Sequence, residues 1–230
     1  LVTSRSRLNL EEEWLFALEG FSLPDEVRLE TAKLNDGVAL FVQRAKKVKP
    51  GFTLSNECLP FVLKICERVE GLPLGLELAA SWVKTLSCEE VAENLADLDF
   101  LTTSLSNIPE RQQSLRSVFE GSWGLLSDEE RRVLSELSVF RGGFTRESAR
   151  EVVAASLITL ARLVDRSLLR VSNSRYAQHP LLRSFTEEKL QTVQKTRERH
   201  AVFFLTLAET YEPQLRGSEQ QRTFKTLSVE

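Results

Sequence analysis

The chain of 230 residues carries 30 Lys+Arg against 33 Asp+Glu, a net charge of −3, with 42% hydrophobic and 27% charged residues. That size and balance belong to one large or two small globular domains and exclude a short peptide or a disordered segment. The net charge provides no overall positive field for nucleic acid or an anionic membrane, so binding of either needs a local patch.

Over the first twenty residues the pattern predicts a strand end, a polar turn and a second strand, because Trp14, Phe16 and Leu18 alternate with the period of two that a pleated strand requires. After Phe21 the periodicity becomes helical. From Asp36, an N-cap candidate, Val38, Phe41, Val42 and Ala45 share one helical face that stops before Pro50-Gly51. Lys46, Lys47 and Lys49 close that helix, where cations interact favourably with the macrodipole and need no anionic partner. Ser55 is positioned to cap a helix with the stripe Leu59, Val62, Cys66 and Val69, ending at Gly71. Pro73, tolerated at a first helical position, restarts a helix with Leu74, Leu78, Ala79 and Trp82. Ser87 to Glu90 reads as a capping box for a short helix through Val91 and Leu95.

Residues 98–111 lose periodicity and mark a connector between packed units. Beyond it, Leu115, Val118, Phe119 and Trp123 form an amphipathic helix, and Ser127 to Glu130 is a second capping box ahead of Val133, Leu134 and Leu137. Gly142-Gly143 ends that helix. Thr145 caps the next, and Leu157, Leu160, Leu163 and Val164 define another. Strand-like 168–171, a Ser172-Asn173-Ser174 turn and a returning 175–178 make a hairpin, and Pro180 starts a helix with Leu181, Leu182, Phe185 and Leu190. Three helices, a hairpin and a closing helix are the element order of a winged helix. Ala201, Phe204, Leu205 and Ala208, then Phe224 and Leu227, read as two further helices, as at the start of a helical repeat array.

Cys58, Cys66 and Cys88 form no CxxC pair, and their odd number closes no disulfide framework within one chain, so they read as reduced and the protein as cytoplasmic. The apolar stretch Leu72 to Ala80 is broken by Pro73, Gly75 and Glu77 and falls short of the ~20 residues of a membrane span. No signal peptide is expected. The opening Leu1-Val2-Thr3-Ser4-Arg5 and the lack of methionine read as an excised piece. The sequence holds no GxxxxGK[ST] loop, GxGxxG, HExxH or paired metal-ligand cluster, His179 and His200 lie apart, and no serine sits in a GxSxG elbow. A self-contained catalytic site is therefore not expected.

Four segments in order carry a resemblance: 1–5 (LVTSR), 71–74 (GLPL), 137–144 (LSVFRGGF) and 176–183 (YAQHPLLR). Together they resemble the bacterial signal-transduction ATPases with numerous domains (STAND, NB-ARC/AP-ATPase-like), in the LuxR/AfsR-like regulator group. The resemblance implies a mainly α chain. Residues 1–34 would be the C-terminal remnant of an α/β nucleotide-binding domain with its last strands, and 35–108 a small helical domain with the GLPL motif. Residues 109–194 would be a winged-helix domain, and 195–230 the start of a TPR-like region.

By the same resemblance, Thr3-Ser4-Arg5 matches the sensor-one motif, making Arg5 the candidate γ-phosphate sensor, with Arg7 a competing choice; a guanidinium offers planar bidentate donors to phosphate. Pro73 matches the residue set against the adenine and sugar. Gln178-His179-Pro180 stands where relatives carry Met-His-Asp, and His179 is the candidate contact to the β-phosphate of ADP, a contact that protonation and the adjoining helix N-terminus would favour. The acidic third residue is replaced by Pro180.

The function implied is the regulatory part of an ADP/ATP switch, with Mg²⁺, in a bacterial transcriptional regulator. A nucleotide biases such a switch only through its different affinities for the two arrangements. The phosphate-loop lysine and the acidic Mg²⁺ site are expected before Leu1, so the whole protein would be a slow ATPase while this fragment neither binds ATP tightly nor hydrolyses it. Direct DNA binding is a weaker alternative: residues 110–190 carry a net charge of +2, and the recognition-helix candidates Arg162 and Arg166 flank Asp165. A helical protein-interaction module is the third reading, with Phe203, Phe204 and Phe224 on open apolar faces and a protein partner on the C-terminal repeats. No membrane partner is expected.

Overall fold

The computed structural model describes residues 2–4, 7–8, 10–14, 16, 18–23, 28–95, 97–102 and 114–215. They divide into two compact units, one within Trp14–Leu125 and one formed by Leu126–Glu230 with Leu1–Glu13. The described chain is mainly helical, with one two-stranded antiparallel sheet.

In the first unit a short helix α1 (Leu29–Ala32) leads into α2 (Asp36–Val48), α3 (Leu59–Arg68), α4 (Pro73–Ser81), α5 (Cys88–Asn94) and α6 (Leu115–Gly124). Helix α2 packs most extensively on α4, and Val38, Phe41 and Ala45 meet Leu76, Ala79 and Ala80 in a core from which water is excluded. Each large side chain so buried contributes about 1.5–3 kcal/mol. The N-cap of α2 is Asn35 rather than Asp36, because its amide works in two directions: Oδ1 accepts from the Val38 N–H at 3.1 Å while Nδ2 donates to the Ser22 carbonyl at 2.7 Å. Ser55 caps the turn before α3, taking the Cys58 N–H at 3.2 Å, and the helix itself begins only at Leu59. The Ser87–Glu90 capping box forms as expected.

The two strands expected before residue 20 do not form among the described residues. Trp14, Phe16 and Leu18 are 97%, 88% and 82% exposed, and the alternation faces no core. A strand needs a neighbour to take its N–H and C=O groups, and none of the described elements supplies one.

Helix α6 belongs to this first unit, on the near side of the unit division. Thr102 pairs with Ser114 in an isolated antiparallel bridge, Leu115 donates to the Leu101 carbonyl at 3.2 Å, and Arg116 is paired with Asp99. Most of the connector expected at 98–111 lies outside the described residues; its first residues, Leu98–Phe100, form a 3₁₀ turn.

The second unit contains α7 (Asp128–Glu136), α8 (Arg146–Val153), α9 (Leu157–Asp165), β1 (Arg170–Ser172), β2 (Arg175–Ala177), α10 (Pro180–Glu188) and α11 (Val193–Leu215). The Ser127–Glu130 box caps α7 and the Thr145–Ser148 pair caps α8. The hairpin turn places Asn173 and Ser174 at φ +50° and +64°, the pair of left-handed residues that a tight two-residue hairpin demands. Phe144 adds an isolated antiparallel bridge to β2, exchanging both backbone hydrogen bonds with Tyr176 at 2.8 Å. Gly143 makes that bridge possible: its φ is +85°, and a Cβ there would stand 2.9 Å from the Tyr176 carbonyl. Helices α7 and α10 pack around Leu134, Leu137, Leu182 and Phe185, and α11 lies on α8. Helix α11 is 23 residues long, with the faces of Val202 and Leu205 open. Phe224 and Leu227, expected in a second helix, lie outside the described residues.

Candidate functional site

Helix α10 begins where β2 ends, and its first position is Pro180, whose missing N–H costs nothing there. His179 is the N-cap. Its Nδ1 accepts the Leu181 N–H at 3.2 Å, which satisfies one donor of the helix's first turn. The imidazole is half-buried. A proton on Nδ1 would remove this acceptor and with it the cap. The cap also consumes one N–H of the helix terminus that an anion would otherwise use. The preceding Gln178 points inward, its amide donating to the Leu134 carbonyl at 3.0 Å and to Thr186 Oγ1 at 3.3 Å. That inward anchor holds the strand-to-helix corner on which His179 stands.

Pro73 is the first residue of α4 in the other unit, and its ring is exposed while Leu76 and Leu78 behind it are buried. Gly71, two residues before this start, has a stronger reason to be glycine than helix punctuation. At φ +65° it hydrogen-bonds to Phe21 at 2.9 Å, and a Cβ would lie 2.0 Å from the Phe21 carbonyl oxygen. The extended backbone of Gly20-Phe21 thus fixes where α4 begins.

Arg5 lies outside the described residues. Its competitor Arg7 is paired through Nε with Asp165 at 3.0 Å, at the end of α9. The exposed face of α9 is more apolar than basic: Leu157 and Ile158 are 47% and 66% exposed, Arg162 is exposed, and Arg166 leans toward the buried Glu130 at 3.6 Å.

Two features escaped the sequence reading. Buried Glu136 accepts from Arg132 and from Arg199, each at 3.1 Å, and Arg132 also donates to the Val153 carbonyl at 3.0 Å, so one carboxylate joins α7, α8 and α11. A groove of about 340 Å³ is lined by Phe140, Arg141, Gly142, Gly143, His200 and Phe204. In it, burial pushes the His200 imidazole below its ordinary pKa, with Phe140 at 5.0 Å and Phe204 at 4.7 Å between ring centroids. Glu136–Arg199 and Phe140–His200 lie far apart in sequence and carry no short-range motif, whereas Arg132–Glu136 and His200–Phe204 are i,i+4 pairs, each within one helix. Among the described residues no group of three or more His, Cys, Asp or Glu could hold a metal ion, and no helix is long and apolar enough to cross a membrane.

No protein-family model matches the chain. It is 33% identical over 202 residues to proteins of Mycobacterium tuberculosis and Mycobacterium bovis that carry the provisional name HTH-type transcriptional regulator, covering 83% of this chain and 22% of theirs. A further Mycobacterium tuberculosis protein, named only as uncharacterized, is 34% identical over 178 residues, covering 73% of this chain and 45% of its own length. The chain thus spans about a fifth of the length of the named regulators it matches.

Proposed function

We propose that the chain is the regulatory portion of a bacterial transcriptional regulator that switches with bound nucleotide. The similarity to proteins named as regulators supports the coarser part of this reading. The finer part rests on one observation: half-buried His179 stands at the strand-to-helix corner as the cap of α10, its Nδ1 taking the Leu181 N–H.

ADP fits the chemistry of these residues. The His179 imidazole would donate to a β-phosphate oxygen, and the exposed Pro73 ring would give the adenine or ribose a flat apolar contact. Arg5 would take the γ-phosphate of ATP, a role that rests on the resemblance alone. Mg²⁺, the phosphate loop and slow hydrolysis belong in this reading to the remainder of the protein, and α11 to the start of a TPR-like region. The bound nucleotide supplies charge for the unit to sense; the chain's own part is a donor whose contact exists only in one arrangement, which is what shifts a two-state equilibrium.

The test is ADP retention by the intact regulator. His179→Asn preserves a side-chain cap yet removes the imidazole donor, and the expected loss is roughly tenfold or more, as for a hydrogen bond to a charged group. Unchanged retention on equilibrium dialysis overturns the reading.

A second reading, DNA contact through α9, is favoured by the name of the relatives and by the exposed Arg162. The helix face around it holds Leu157 and Ile158, and Asp165 is already paired with Arg7. A salt-sensitive shift of random duplex by this chain, abolished by Arg162→Ala, would establish it over the switch as the role of this unit.

A further inference from the structure

The groove at Phe140 and His200 lies within the second unit. One side is the 3₁₀ turn ending at Val139 and the loop through Gly143 that follows it; the other is α11, which presents His200 and Phe204 one turn apart. Phe140 stands 5.0 Å from His200 and 6.3 Å from Phe204, and the last two are 4.7 Å apart, with interplanar angles of 64°, 70° and 48°. The three rings therefore form one aromatic cluster along the groove.

The polar groups of the lining are unspent. Among the described residues the exposed Arg141 guanidinium has no ion pair or hydrogen bond, the N–H groups of Arg141, Gly142 and Gly143 donate to nothing, and the half-buried His200 ring makes no hydrogen bond. A Cβ at Gly142 would meet nothing within 4 Å, so the loop backbone is open to an approaching molecule. Among the described residues that line the groove there is no Asp or Glu.

We propose that this groove binds a small aromatic carboxylic acid, its ring against Phe140 and Phe204 and its carboxylate on Arg141. The inference is independent of the nucleotide reading.

Size, surface and charge each select that ligand. A volume of about 340 Å³ lies at the lower end of the range of small-molecule sites, which suits one or two fused rings. The aromatic cluster takes a flat apolar body by edge and offset contacts. Burial keeps His200 neutral at neutral pH, which leaves Arg141 as the one cation among the described lining residues. A single guanidinium balances a monoanion, and its planar fork fits a carboxylate. A phosphate monoester or a nucleoside diphosphate would bring more negative charge than this lining neutralises. The neutral imidazole still holds one N–H, a second donor for the ligand. Because the ligand would touch both the loop before α8 and α11, its binding energy would add to the docking of α11.

The test is titration of the whole chain with 2-naphthoate at neutral pH, read by calorimetry and by amide NMR. Saturable one-to-one binding with a dissociation constant of about 1 mM or tighter is expected, with the largest shifts at Gly142, Gly143 and His200. 2-Naphthamide, which keeps the rings and loses the charge, should bind roughly fivefold or more weakly. Arg141→Gln should weaken 2-naphthoate by a similar factor and leave the amide unaffected, and ADP should displace neither. Failure to saturate by about 10 mM, equal affinity for acid and amide, shifts centred elsewhere, or displacement by ADP overturns the proposal. So does roughly tenfold tighter binding of a peptide ending in phenylalanine, which would make the groove a protein site, or self-association of the chain through the same amides, which would assign it to a second copy. The acid–amide comparison is made on the unaltered chain, so misfolding of the variant leaves it decisive.

Discussion

The Leu181 N–H points at Nδ1 of His179 over 3.2 Å, so a residue proposed to touch nucleotide is also the cap of its own helix. The two roles separate by substitution. His179→Ala should lower the stability of the chain by about 1 kcal/mol through the lost cap, whereas His179→Asn should recover most of that in urea unfolding. If His179→Ala costs nothing, the side chain does not cap α10.

Gly71 carries the close approach between the segment at Phe21 and the start of α4. Gly71→Ala must accept both the left-handed backbone and a Cβ in contact with the Phe21 carbonyl, and a loss of more than about 2 kcal/mol is expected by thermal or urea unfolding. Gly51→Ala is the matched control, with nothing within 4 Å of its Cβ, and should change stability by less than about 0.5 kcal/mol. Equal effects at the two sites would refute the assigned approach.

Glu136 holds the second unit together through charge. Removing its carboxylate leaves Arg132 and Arg199 without their shared acceptor, and because both arginines are partly exposed the expected cost of Glu136→Ala is about 2 kcal/mol rather than the full value of a buried pair. A double-mutant cycle with Arg199→Ala should show coupling above about 0.5 kcal/mol. Strict additivity would mean that α11 docks without this contact.

His200 makes stability depend on pH. Its folded pKa lies below the ordinary 6.5 because burial between Phe140 and Phe204 disfavours the charged ring. The unfolded chain therefore binds the proton more readily, and the contribution is complete above about pH 6.5 and declines as the pH falls below it. Melting temperatures measured from about pH 7.5 to pH 5 should fall less steeply for His200→Gln than for the unaltered chain. Parallel curves would show that the ring is not desolvated.

What was legible in the sequence is what is local. The capping boxes Ser87–Glu90 and Ser127–Glu130, Pro73 and Pro180 at first helical positions, and the Asn173-Ser174 turn each act within four residues, so residue order suffices to read them. The helical stripes were legible for the same reason, since a period of three to four names the buried face before its partner is known.

Tertiary structure decided everything that depends on a partner remote in sequence. It chose Asn35 over Asp36 as the cap by offering the Ser22 carbonyl, left the alternating Trp14-to-Leu18 segment without a neighbour, and gave Gly71 its second constraint. It also joined Glu136 of α7 to Arg199 of α11. The physical reason is common to all of these: hydrogen bonds and ion pairs act over a few ångströms, and only the packing of one element on another determines which distant residues come within that range.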